Sequence, residues 1–416
     1  MGVSFSLVLT SLSLASFLWN SISEDDSPVT WALQALDSFG NAATVLLLSG
    51  SHRLPALSQR MSRHVRPVQH RAVPAKEWSP DWQAKVEELS LRGMTLRSLL
   101  QFYHEDLPSV QDWMYVPKEH RTRDVVRRVI IPFTSKEETA YAVSALNRDG
   151  AQRPAVMVSH NWGNCFKDLL AAVISDALGE SCFNLVAQLL EDDCDVLAGI
   201  LARSSRLDDR YWICAFAVNQ HMSICHSNPY DRDPLTTELH PVCNCKCVNI
   251  SDPDGHSAPS EINKFDEMMS HLANTGGCRQ VIAVDRSFDL FSRAWCVAEI
   301  AEGRRLHMSQ SLKLASKAII QQRARSLGKL DVRNMRASSE TDKELILNKI
   351  KNQRSKNIDD FNVELQSLIF DPESGLMATW HAMDSLQQMG EVGRLIRWGL
   401  ADAGTGKVWR AWETCE

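Results

Sequence analysis

An α/β fold, with a parallel sheet covered by helices on both faces, is predicted by three observations. Near-continuous apolar runs in "AVMVSHNWG", "YWICAFAVNQH" and "QVIAVDRS" alternate with helix-patterned stretches. Each run breaks into polar residues: Ser159-His160-Asn161, Asn219-Gln220-His221 and Asp285-Arg286-Ser287. The stretch after the first run repeats Phe166, Leu169, Leu170, Val173, Ile174 and Ala177 at helical spacing. Runs without polar alternation are the mark of parallel strands buried between two layers. In such a sheet all three polar endings emerge at one carboxyl edge, where open α/β sheets bind ligands.

The elements follow in order. The 416 residues suit two or three domains. Residues 1–75 read as an apolar segment and a basic linker, poorly ordered. "MGVSFSLVLTSLSLASFLWNSI" lacks the basic start of a secretory signal. Its apolar run falls short of the about 20 residues of a membrane span. Gly2 with Ser6 fits the myristoylation pattern, which keeps membrane contact or targeting open. From Ser51 to Ala75 there are five arginines, no acid and three prolines, the composition of a linker.

Residues 76–150 form a helical lead-in. Ser79 is placed to cap a helix with Pro80 at its first position, and "TLRSLLQFY" and "RDVVRRVIIP" are further helix or strand pieces. Residues 151–310 carry the α/β domain, with a Cys-rich insertion at 222–265. Residues 311–416 are a helical region, in which Ser338 or Ser339 caps "ETDKELILNKI" and "FNVELQSLIF" has helical apolar spacing. These are packing or oligomerisation helices. "AGTGK" near the end is no phosphate loop, because Ala401 replaces the first glycine and Val408 the hydroxyl residue.

Composition narrows the function. A hydrophobic content of 44% supports a core, and a formal net charge of -6 without a clustered cationic face excludes nucleic-acid binding. Eleven cysteines, scattered singly except in "CNCKC", point to a reducing, cytoplasmic setting rather than a disulfide framework.

The sharpest chemical clue is "SRAWCVAEIAEG" at 292–303. On a helix at about 100° per residue, Cys296, Val297 and Ile300 face the sheet, and Trp295, Glu299, Glu302 and Leu306 lie on an adjoining side. The residues three and four beyond Glu299 are Glu302 and Gly303, so the usual ion-pair positions offer no cation. An indole neighbour and a like charge both raise a carboxyl pKa, and such groups cluster at functional sites.

"VMVSHNWGNCFKDLL" followed by "FDLFSRAWCVAEI" resembles the TIR (Toll/interleukin receptor) domain family over roughly residues 153–310. The matching residues are Ser159, Gly163 and Phe166, then Ser292, Trp295, Cys296 and Glu299. The resemblance implies a flavodoxin-like parallel sheet and, as in the NAD-cleaving members, catalysis by Glu299. It places Ser159, His160, Asn161 and Trp162 along the nucleotide. Asn219 and Asp285, at the same sheet edge, are further substrate-binding candidates, and Trp162 or Trp295 is an aromatic that stacks on a ring. His160-Asn161-Trp162 stands where plant-type members carry Phe-Arg, so a basic phosphate contact is missing there. NAD enters as substrate, no cofactor is required for catalysis, and self-association is expected. The alternative is a non-catalytic TIR-like scaffold, since the family contains both. A third reading is a redox or metal sensor built on the insertion.

The insertion holds "ELHPVCNCKCVNI". Alternating Cys243, Cys245 and Cys247 in an extended segment point to one face. With His240, or alternatively His226, Cys225 or His256, they would complete a tetrahedral structural zinc site.

Overall fold

The computed structural model describes residues 79–248, 250, 257–316, 330–337, 340–354 and 357–371. The N-terminal apolar segment, the basic linker, the caps at Ser338 and Ser339, His256 and "AGTGK" lie outside the described residues.

Five strands form one sheet: β1 (Met94–Thr95), β2 (Val156–His160), β3 (Arg210–Ile213), β4 (Arg279–Ala283) and β5 (Gln310–Lys313), in the order β1-β3-β2-β4-β5. The pairs β2–β3, β2–β4 and β4–β5 are parallel, and β1 closes one edge antiparallel to β3. The longer helices are α1 (Pro80–Ser90), α2 (Phe166–Ala177), α3 (Asn184–Asp192), α4 (Cys194–Arg203), α5 (Phe265–Gly276), α6 (Ala294–Arg305), α7 (Glu340–Arg354) and α8 (Ile358–Phe370). The chain steps from β2 outward to β3, then back past β2 to β4 and on to β5. Right-handed crossovers therefore lay α2–α4 on one face and α5 and α6 on the other.

The α/β class holds, and three details depart from the sequence reading. The lead-in supplies β1 to the sheet, and its helix α1 shares a core cluster with β2, β3 and α5 through Trp82, Val86, Leu89, Met157, Trp212 and Met269. As expected, α1 begins at Ser79, whose side chain accepts from the amide of Trp82. The second strand ends at Ile213, not near Asn219, because its pairing with β2 stops at Val158↔Ile213 and Cys214–Ala217 turns into helix. The fifth strand falls in the region read as helical. Its "QSLK" is too short and too polar to register as a buried strand.

The helix α2 is buried on every side, not along one stripe. Near its end Asp176 ties three strands together: it accepts from Tyr211 Oη at 3.0 Å, pairs with Arg279 (Nη1–Oδ1 2.8 Å) and with Lys313 Nζ at 3.1 Å. On the opposite face Ile282 and Leu312 pack under Val297 and Ile300 of α6. The helices α7 and α8, the first foreseen from its capping serine and the second from its apolar spacing, extend that cluster with Ile346, Ile350, Phe361, Leu365 and Ile369. No helix among the described residues is long and apolar enough to cross a membrane.

Candidate functional site

Pleating decides which side chains meet beneath α6. Successive residues of a strand point to opposite faces. The registers Ser159↔Ile282, Met157↔Gln280 and Gln280↔Gln310 put Ser159, Gln280 and Gln310 on one face of three adjacent strands. The helix α6 crosses that face and brings Glu299 to Ser159, whose Oγ lies 2.5 Å from Glu299 Oε2. The direction of this bond is fixed by its neighbours. Gln280 Nε2 donates to Ser159 Oγ at 2.8 Å and to the Glu299 carbonyl at 3.2 Å. Gln280 Oε1 accepts from Gln310 Nε2, which also donates to the Ile300 carbonyl. Ser159 therefore receives one hydrogen bond and gives its own proton to the carboxylate.

Gly303 makes this row fit. A Cβ at that position would stand 2.0 Å from Gln280 Oε1, so a side chain there would push the amide out of line. The glycine that leaves Glu299 without a cation also admits the amide that orients its serine.

Burial pushes the Glu299 pKa up to about 7 from the usual 4.5; the Ser159 bond pulls it back, and Asp266 adds to the rise. The direction matches expectation, but the cause differs. Glu302 is not the repelling charge, since it is buried and paired with Arg305 (Nε–Oε2 2.8 Å). Near neutrality the Glu299 carboxyl divides between its acid and base forms.

Trp162 and His160 converge on Cys214 beside this carboxyl. Trp162 Nε1 donates to Cys214 Sγ at 3.2 Å and His160 Nε2 stands 3.8 Å from it. Burial holds the His160 pKa down near 4 and pushes the Cys214 thiol up to about 12, with Glu299 adding to the latter. The imidazole is thus neutral and the thiol is not a ready nucleophile. Trp295 is partly buried and packs on the α6 cluster.

A second feature lies at the carboxyl edge, where the connections after β2 and β4 leave in opposite directions. This switch point opens a cleft of about 410 Å³. Its walls carry five arginines: Arg121 and Arg123 from the lead-in, Arg286 and Arg293 from the β4–α6 connection, and Arg336 from beyond β5. Arg286 is held by Asp168 through bonds of 2.7 and 3.1 Å. The guanidinium groups of Arg121, Arg293 and Arg336 have no ion pair among the described residues. Such a wall suits an anion with several oxygens. Guanidinium groups thus reach this cleft from three segments of the chain.

Asn161 and Asp285 line this cleft but are occupied in shaping it. Asp285 accepts from the amides of Ser287, Asp289 and Leu290, and Asn161 Oδ1 accepts from Gly163 N. Burial raises the Asp285 pKa, against these amide bonds. Asn219 stands apart: its Nδ2 donates to the Glu138 carbonyl and its amide to Glu261, which is paired with buried Arg92. It anchors the loop after β3 rather than the cleft. Glu299 does not line the cleft either. It follows Arg293 by six residues of α6, about 9 Å along the axis.

The insertion brings His221, Cys225, Cys243 and Cys245 together, with one ligand-capable atom of each within 4.8 Å of the others, a set that can hold a metal ion. The expected set changes in two members. His240 is buried between Asp124 (Nε2–Oδ1 2.9 Å) and Arg128, whose Nε donates to its Nδ1 at 3.0 Å. Cys247 is outside the cluster, its carbonyl 2.5 Å from His226 Nε2. Every second residue of an extended run shares a face only while the run stays straight, and this one bends after Cys245. His221 was hidden as the last polar residue of "AVNQH"; its spacing of four from Cys225 was the usable signal.

No protein-family model, no curated protein and no solved structure matches this chain.

Proposed function

We propose that the chain hydrolyses the nicotinamide–ribose bond of NAD or a closely related dinucleotide, with Glu299 as the catalytic carboxylate. The observation that carries this reading is the Glu299–Ser159–Gln280 row: a partly buried carboxyl, oriented by a serine, with a pKa of about 7. The arginine-walled cleft near the start of α6 supports a phosphorylated substrate. TIR-like enzymes, which the sequence resembles, use a glutamate in this motif.

The chemistry asks little else of the protein. As the C–N bond breaks, its electron pair goes to the pyridinium nitrogen, and nicotinamide leaves neutral without a proton. Positive charge develops at the ribose C1′, where a carboxylate stabilises it. Water then adds at C1′ and gives up a proton, which Glu299 accepts. One carboxylate serves where hydrolysis of a sugar ether needs two. The four-member His/Cys cluster stays outside the reaction. We read it as structural zinc, because four protein ligands leave no open position on the ion.

The test is nicotinamide release from NAD by the purified full chain beside Glu299→Gln. Release by the wild type, reduced by about 100-fold or more in the variant, supports the proposal. Equal release from both, or none from the wild type at high protein concentration, removes it. A second reading, a scaffold that assembles with copies or partners, is favoured by apolar side chains exposed on the insertion: Tyr230, Leu235, Val242 and Val248. Complex formation that survives Glu299→Gln, without nucleotide turnover, would establish it instead.

A further inference from the structure

We propose that His221, Cys225, Cys243 and Cys245 bind one zinc ion, that His221 ligates through Nδ1, and that this ion fastens the loop after β3 to the insertion. The inference extends the structural reading of the cluster and stands whether or not the chain cleaves NAD.

The histidine gives the first argument. Thr134 Oγ1 lies 2.7 Å from the Ile130 carbonyl and 2.9 Å from His221 Nε2. The hydroxyl has a single proton, and the carbonyl can only accept, so that proton goes to Ile130. His221 Nε2 must then carry the hydrogen and donate it to Thr134. This leaves Nδ1 with a bare lone pair. His221 is fully buried, and among the described residues Nδ1 has no hydrogen-bond partner. A buried acceptor without a donor is unfavourable by about 1–3 kcal/mol unless something fills it. A metal ion on Nδ1 fills it, and the Nε2–H···Thr134 bond is the outer contact that orients a ligating imidazole.

The sulfurs give the second. Cys225 Sγ and Cys245 Sγ are 3.6 Å apart. A disulfide would need about 2.05 Å. Two thiolates on one tetrahedral zinc, each about 2.3 Å from the ion, are separated by about 3.8 Å. Cys243 completes the set, and the Cys245 amide points at its sulfur from 3.4 Å. Three soft sulfurs with one imidazole favour zinc over magnesium or calcium, which take oxygen ligands. Binding converts three thiols to thiolates and releases three protons, so the complex carries one net negative charge.

Placement gives the third. His221 closes the loop after β3, Cys225 stands in the first arm of the insertion, and Cys243 and Cys245 stand in its far arm. Two backbone bonds, Cys243 N to the Cys225 carbonyl at 2.8 Å and Ile250 N to the Met222 carbonyl at 2.9 Å, hold the arms side by side. The insertion exposes Tyr230, Leu235, Leu239, Val242 and Val248. So little apolar burial leaves room for an ion as the fastening.

The test uses the full chain, purified without chelator. One zinc per chain is expected by elemental mass spectrometry. Replacement by cobalt(II) should give the visible bands of a tetrahedral site with thiolate charge transfer. Cys225→Ser, Cys245→Ser and His221→Ala should each lose the metal, whereas Cys247→Ser and His226→Ala should keep it. Thr134→Val should retain the cobalt spectrum and weaken affinity by about 10- to 100-fold, which separates lost orientation from lost folding. Absence of zinc together with no cobalt uptake overturns the proposal. So does metal that survives His221→Ala but not His226→Ala, or that depends on Cys247 in place of Cys245.

Discussion

Replacing Glu299 by glutamine should change the dependence of stability on pH by an amount that the site itself sets. The carboxyl pKa rises from 4.5 to about 7, chiefly by burial. An acid whose folded pKa lies above its unfolded one favours folding while protonated. Its contribution is complete below about pH 4.5 and is lost as pH rises through about 7. At about 1.36 kcal/mol for each tenfold change in proton affinity, the ionised carboxyl disfavours the folded state by about 3 kcal/mol. Most of that develops between pH 5 and 7, from roughly 1 to about 3 kcal/mol. Glutamine keeps an oxygen for the Ser159 hydroxyl but does not titrate. Urea unfolding of both proteins across this range isolates the effect, because every other titrating group is shared. The stability of Glu299→Gln relative to wild type should climb by about 2 kcal/mol from about pH 5 to 7 and then level off. A difference that stays flat across the range would mean that Glu299 keeps an ordinary pKa, and the case for a perturbed catalytic carboxyl would be lost.

Two other outcomes follow from the geometry. Gly303→Ala sets a methyl group against Gln280 Oε1, so it should destabilise the fold by about 1–3 kcal/mol and lower nicotinamide release, both measurable on one preparation. Arg293→Gln and Arg336→Gln remove guanidinium groups of the cleft wall that have no ion pair among the described residues; each should raise KM for NAD about tenfold with little change in kcat, and an unchanged KM would detach the cleft from the substrate.

The parts of the fold legible in the sequence are those whose signal is local. The first and third apolar runs became β2 and β4, the helical apolar spacings became α2 and α8, the segment "ETDKELILNKI" became α7, and Ser79 caps α1 as read. Glu299 stood out because "SRAWCVAEIAEG" shows in twelve residues what it lacks. Features made by distant segments did not announce themselves. The two-residue β1 is a strand only because Tyr211 and Arg210 lie beside it. The cleft gathers arginines from positions 121, 123, 286, 293 and 336, none of which forms a local cluster large enough to notice. Gln280 and Gln310 read as ordinary polar residues until the strand register puts them in one row with Ser159. The metal-holding set was legible only in part for the same reason. Spacing within "CNCKC" suggested three thiols, of which Cys243 and Cys245 join the cluster; the chain bends before Cys247, and His221 and Cys225 come from the chain just after β3.

The bond from Lys313 to Asp176 bears on how copies of this chain can meet. The lysine sits on the outermost strand with its ammonium drawn under the sheet, and the opposite rim is a strand of only two residues. Charge turned inward at one border and brevity at the other are two ways in which natural proteins discourage strand-to-strand polymerisation. Assembly of this molecule, where it occurs, is thereby steered toward side-chain surfaces and away from a continued ribbon of backbone pairing.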